Sequence, residues 1–69
     1  MAQGTVKWFN TSKGYGFIEP VEGGKDVFVH IKAVERSGLS VLKDGEKVSY
    51  ELETDPKRGR MSAVNLLVS

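Results

Sequence analysis

The chain has no cysteine, one histidine, two prolines and one tryptophan among 69 residues. Without cysteine there is no disulfide framework and no thiolate metal site. A single histidine argues against zinc. The expected cofactor and metal content is therefore none. A chain this small with no disulfides fits a reducing compartment, and a cytoplasmic protein is expected. No apolar run approaches the ~18 residues of a membrane span. The start, Met1-Ala2-Gln3-Gly4, lacks the charged and apolar regions of a signal peptide. Asn10-Thr11-Ser12 matches a glycosylation sequon, which has no meaning in the cytoplasm. Charge of one sign is also scarce, since the formal net charge is +1. That is not the basic footprint of a duplex-DNA binder. Catalysis has no candidate constellation, because the acids are scattered over polar stretches and only one histidine is present. The chain is read as a non-enzyme with no small-molecule substrate and no membrane partner.

What is present is β-structure. At this length one domain is expected, burying only about 60% of the unfolded surface. Strand signals run from Gly4 to Asn10, Tyr15 to Glu19, Asp26 to His30, Glu46 to Glu53 and Met61 to Leu67. Glycine, proline and polar residues punctuate them. Strict alternation fails at Trp8-Phe9, which predicts a bulge or bend. Lys32 to Glu35 suits one helical turn, ended by Ser37-Gly38, and Val41 and Leu42 are expected to fold back onto the core. In the fourth strand Val48, Tyr50 and Leu52 share one face and read as core. No segment has the length or period of a stable amphipathic helix. Five short strands with one long connection after the third predict an all-β fold, a small five-stranded antiparallel Greek-key barrel of the OB type. An SH3-like barrel is the alternative.

The central strands are apolar on both faces. Ile18, Val27 and Val29 suit an inner face, with Gly16 beside them. That leaves Tyr15, Phe17, Phe28 and His30 facing outward, with no second core to cover them. If the two strands pair, these rings lie side by side, about 5 Å apart across the strands. An exposed apolar patch marks a binding site. Flat rings stack on nucleobases, and lysines beside them meet phosphates. Lys7 and Lys13 are placed to do so, with Lys25 and Arg58 as rim contacts. Lys57-Arg58-Gly59-Arg60 is either such a rim or a plain soluble turn. Residues 1–33 carry Lys7, Lys13, Lys25 and Lys32 against Glu19, Glu22 and Asp26, while 34–69 are balanced. A polyanion site must therefore be local.

Lys13-Gly14-Tyr15-Gly16-Phe17-Ile18 resembles the first ribonucleoprotein motif of the bacterial cold-shock proteins. Val27-Phe28-Val29-His30 resembles the second, and Gly4 to Asn10 resembles the family's opening strand. The likeness covers the whole chain and is most specific over residues 4–34. It implies one cold-shock domain over 1–69, with an OB-type barrel that binds single-stranded RNA and DNA, pyrimidine-rich by preference. It further implies a monomeric RNA chaperone working without ATP, with a role in transcription antitermination or translation and in the stress response. Matched residue by residue, it implies that Lys7, Trp8, Lys13, Tyr15, Phe17, Phe28 and His30 contact nucleic acid, with Asn10 and Asp26 at base edges. The sequence departs from the family pattern in several places. Tyr15 replaces the usual phenylalanine, Ile31 and Leu39 stand where many members carry an aromatic, and the loop at Arg58 aligns only with a gap. Phe9 is open between core and site. Two other readings remain to be weighed: an SH3-like barrel gripping a proline-rich peptide, and an RRM, in which the order of the two motifs is reversed.

Overall fold

A computed structural model describes residues 1–55 and 59–68. Five strands form where β-branched and aromatic residues cluster. They are β1 (Ala2–Asn10), β2 (Tyr15–Pro20), β3 (Val27–His30), β4 (Lys47–Asp55) and β5 (Arg60–Val68). One short helix, α1 (Ile31–Arg36), lies between β3 and β4. The strands close in the order β1-β2-β3-β5-β4. Neighbours run antiparallel except β3 and β5, which meet in parallel at Phe28 and Ser62. This is the five-stranded all-β barrel of OB type expected from the sequence. Ring closure gives each strand two neighbours and blunts the edges that would otherwise invite pairing with other chains.

The core holds Val6, Ile18, Val27, Val29, Val34, Leu42, Val48, Tyr50, Ala63 and Leu66. Burial pushes the Tyr50 hydroxyl above its ordinary pKa, with a smaller contribution from Glu22. Two apolar residues expected inside are not there. Leu42 enters the core alone, and Val41 beside it is exposed. Leu52 is 48% exposed. The physical reason is the length of β1. That strand pairs β4 only from Ala2 opposite Tyr50 to Thr5 opposite Lys47. Past Tyr50, β4 keeps β5 as partner but loses β1, so Leu52 projects from a two-stranded extension.

The broken alternation in β1 has a specific cause. Val6 pairs with Ile18 and Trp8 pairs with Phe17, with a register shift between them. Lys7 is therefore the extra residue, one position before the expected Trp8-Phe9 step. A bulge resets which side chains face inward. Val6 points to the core, Trp8 sits across from outward Phe17, and Phe9 sits across from Gly16 and packs on the core. The open question about Phe9 is thus settled towards the core.

Gly16 makes this crossing possible. A Cβ there would lie 2.7 Å from Phe9 Cδ1 and 2.8 Å from Phe9 Cα, and closer still to the Trp8 carbonyl oxygen. Gly14 turns the chain from β1 into β2 with φ of 79°, a conformation open to glycine without Cβ strain. Asn10 secures the same turn, since its carbonyl accepts from Gly14 N and its Oδ1 accepts from Lys13 N at 3.0 Å. The helix is anchored at both ends. Lys32 N donates to His30 Nδ1 at 3.1 Å, an N-cap. At the other end Ser37 Oγ donates to the Ala33 carbonyl and accepts from Leu66 N on β5, each at 2.8 Å.

Candidate nucleic-acid interface

Strand pairing places the rings in rows. Tyr15 stands opposite His30 and Phe17 opposite Phe28 on β2 and β3, while Trp8 stands opposite Phe17 on β1 and β2. Alternation then turns all five to the outer face. The result is a continuous strip. Trp8 lies 5.6 Å from Tyr15 and 5.4 Å from Phe17, centroid to centroid. Phe28 lies 5.6 Å from Tyr15, 5.8 Å from Phe17 and 6.3 Å from His30. Most of these pairs are tilted or edge-to-face, the arrangement that ring quadrupoles favour.

The rings are not equally open. Trp8 is 36% exposed and Tyr15, Phe17 and His30 are half-buried. Phe28 is only 5% exposed, although it is outside the core cluster. Its cover comes from the outer side. Tyr15 is stacked on it at an interplanar angle of 27°, and the Arg60 guanidinium lies 5.1 Å from its centroid. The expectation of an outward Phe28 is therefore refined: the ring faces outward but is roofed by its neighbours.

The polar residues also occupy themselves. Lys7 Nζ donates to Asp26 Oδ2 at 3.0 Å, an exposed ion pair across β1 and the entry to β3. The hydrogen bond and charge of Asp26 raise the Lys7 pKa above its ordinary value, so the ammonium is held charged. Asn10 is committed to its turn and His30 Nδ1 to its helix. That leaves the Nε2 edge of His30 for a ligand. Lys13 and Lys25 are exposed. Arg58 lies outside the described residues. Sequence reasoning left Arg60 open between a rim of the strip and a plain soluble turn. The signal that places it is the parallel pairing of β3 with β5, which brings the start of β5 beside Phe28.

Geometry and sequence agree with what comparison finds. The sequence pattern of the 'Cold-shock' DNA-binding domain matches residues 2–69. This chain belongs to the cold-shock domain family. A probable cold shock protein of Sinorhizobium fredii is 68% identical over 66 residues, covering 96% of each chain. Cold shock protein CspA of Rhizobium meliloti is 56% identical over 66 residues, again covering 96% of each. The major cold shock protein of Streptococcus pyogenes is 52% identical, covering 96% of this chain and 94% of the relative. Cold-shock membership sets aside the SH3-like and RRM readings and makes nucleic acid the ligand class. Among the described residues, no helix is long and apolar enough to cross a membrane and no cluster of metal-ligating side chains occurs.

Proposed function

We propose that this cold-shock chain is a single domain that binds single-stranded RNA and DNA on the ring strip. It acts as a monomeric, ATP-independent RNA chaperone in the cytoplasm, with neither enzymatic activity nor a cofactor. Opening nucleic-acid structure in this way fits roles in transcription antitermination, translation and the stress response. The observation that carries the reading is the unbroken outward run of Trp8, Tyr15, Phe17, Phe28 and His30 with lysines beside it. A duplex hides its base faces and offers nothing to such a strip. Each stacked base contributes roughly 1–3 kcal/mol, so four open rings supply about 4–12 kcal/mol gross. Micromolar to nanomolar affinity requires about 8–12 kcal/mol net. Stacking alone falls short at the low end, and phosphate contacts from Lys7, Lys13 and Lys25 make up the difference. Pyrimidine-rich strands suit the strip because small bases unstack from their neighbours at least cost.

The test uses Trp8, which stands within the strip as the single tryptophan. Adding an oligothymidylate is expected to quench its fluorescence, while duplex of equal length leaves it unchanged. Equal competition by duplex rules the stacking reading out. Neutralising about four phosphates gives a log–log salt slope near −3 for a single strand. A slope near zero removes the lysines from the site.

Lys7 binds phosphate only by leaving Asp26. Asp26→Asn removes the competing carboxylate and keeps a polar group for base edges. The expected result is tighter binding by a few-fold, because Lys7 no longer has to give up a partner before it meets its phosphate. Unchanged affinity in that variant would show that Lys7 plays no part in phosphate binding.

A further inference from the structure

Beside Phe17 and Phe28 the strip opens into a cleft of about 840 Å³. That is within the range of about 300–1,000 Å³ typical of ligand sites. Exposed apolar side chains from four parts of the fold converge on it: Met1, Val21 after β2, Leu52 on β4 and Met61 on β5. Leu52 is among them because β4 outruns β1. Lys25 and Arg60 stand at the cleft, together with the acids Glu22 and Asp26. An apolar hollow bordered by cations suits a flat base attached to a phosphate. Continuity decides the occupant: Phe17 and Phe28 belong to both strip and cleft. A strand stacked on these rings delivers its next nucleotide there.

We propose that the cleft is an additional nucleotide subsite and that Arg60 guards its threshold. The inference rests on the strip being a single-strand site. The Arg60 guanidinium, now 5.1 Å from the Phe28 centroid, leaves no room for a base between them. It moves off the ring as the strand arrives and meets the phosphate that links the two nucleotides. The base beyond that phosphate is buried against Leu52 and Val21, and Gln3 and Asp26 lie within the same cleft to read its edge.

The experiment measures affinity by Trp8 quenching for oligothymidylates spanning the ~4–16 nucleotides that OB folds cover. Wild-type protein is compared with Leu52→Asn and Val21→Asn. Both residues are exposed, so the barrel tolerates the changes, and both replacements are neutral, so attraction for phosphate is preserved. In wild type, the added nucleotide that reaches the cleft raises affinity about fivefold or more. Both variants lose that step and bind shorter strands as wild type does. An abasic residue at the same place removes the step from wild type. A step that persists in both variants overturns the subsite. A concentration-dependent dimer dissolved by Leu52→Asn, with no length step, would instead assign the cleft to a second copy of the chain. Absence of quenching by every length defeats the strip reading itself, a separate result from loss of one step.

Discussion

Phe17→Ala is expected to weaken oligonucleotide binding by about 5- to 150-fold, the equivalent of ~1–3 kcal/mol for one stacked base. The barrel should remain folded. Phe17 is only half-buried, and its contacts are with other members of the strip, Trp8, Tyr15 and Phe28. Phe28→Ala provides the contrast. That ring is 5% exposed and is held by Tyr15, Phe17 and Arg60. Its removal leaves a hole as well as a missing platform. Truncating a buried phenylalanine costs about 3–5 kcal/mol, and a ring outside the core cluster belongs at the low end. The two variants therefore separate on stability, with Phe28→Ala close to the limit of folding. Both lose affinity once binding is referred to the folded fraction. Titration of each by Trp8 quenching, with thermal unfolding alongside, checks the pair. An unfolded Phe17→Ala would mean that the ring supports the barrel rather than the ligand. Unaltered affinity in a folded Phe17→Ala would take it out of the site.

Gly16→Ala is expected to unfold the protein or leave it barely folded, through a single methyl group. Gly16 is across from Phe9 in the pairing of β1 with β2. The added Cβ meets the Trp8 carbonyl oxygen and Phe9 Cα. Both belong to the backbone, so no rotamer change relieves the overlap, and the strands must move apart. That separation disturbs Val6 and Ile18, both buried in the core. Overpacking a well-filled interior costs typically ~1–3 kcal/mol when side chains can adjust. Here the cost is at or above the upper end. A domain of this size has only about 3–5 kcal/mol to lose. Denaturant titration reads the effect directly. A Gly16→Ala protein as stable as wild type would mean that the two strands do not approach so closely.

Much of this architecture was legible because a strand reports its faces by alternation. Ile18, Val27 and Val29 went to the core and Tyr15 and Phe17 to the outside on that rule alone. The helical turn after β3 was also legible, from the punctuation at Ser37-Gly38. The misses concern partners rather than periodicity. Leu52 keeps the alternation of β4, yet alternation says nothing about where the neighbouring strand ends. The disturbance in β1 was visible near Trp8, but its position at Lys7 depends on the register against β2. Arg60 approaches Phe28 through a parallel contact between segments far apart in sequence, which no local pattern encodes. The Lys7–Asp26 pair was invisible for the same reason: each was legible as a site residue, but their engagement with one another was not.

That ion pair and the roofed Phe28 have a joint consequence for turnover. Asp26 holds Lys7 as a phosphate would, and Arg60 lies on Phe28 where a base would lie. The face thus carries internal competitors for a nucleic-acid ligand. At these two positions a departing phosphate or base is replaced by a group already tethered nearby, so Lys7 regains a counter-charge and Phe28 its cover. On the proposed strand site, these tethered groups shorten the stay of a bound strand, since Asp26 and Arg60 re-occupy Lys7 and Phe28 as it leaves.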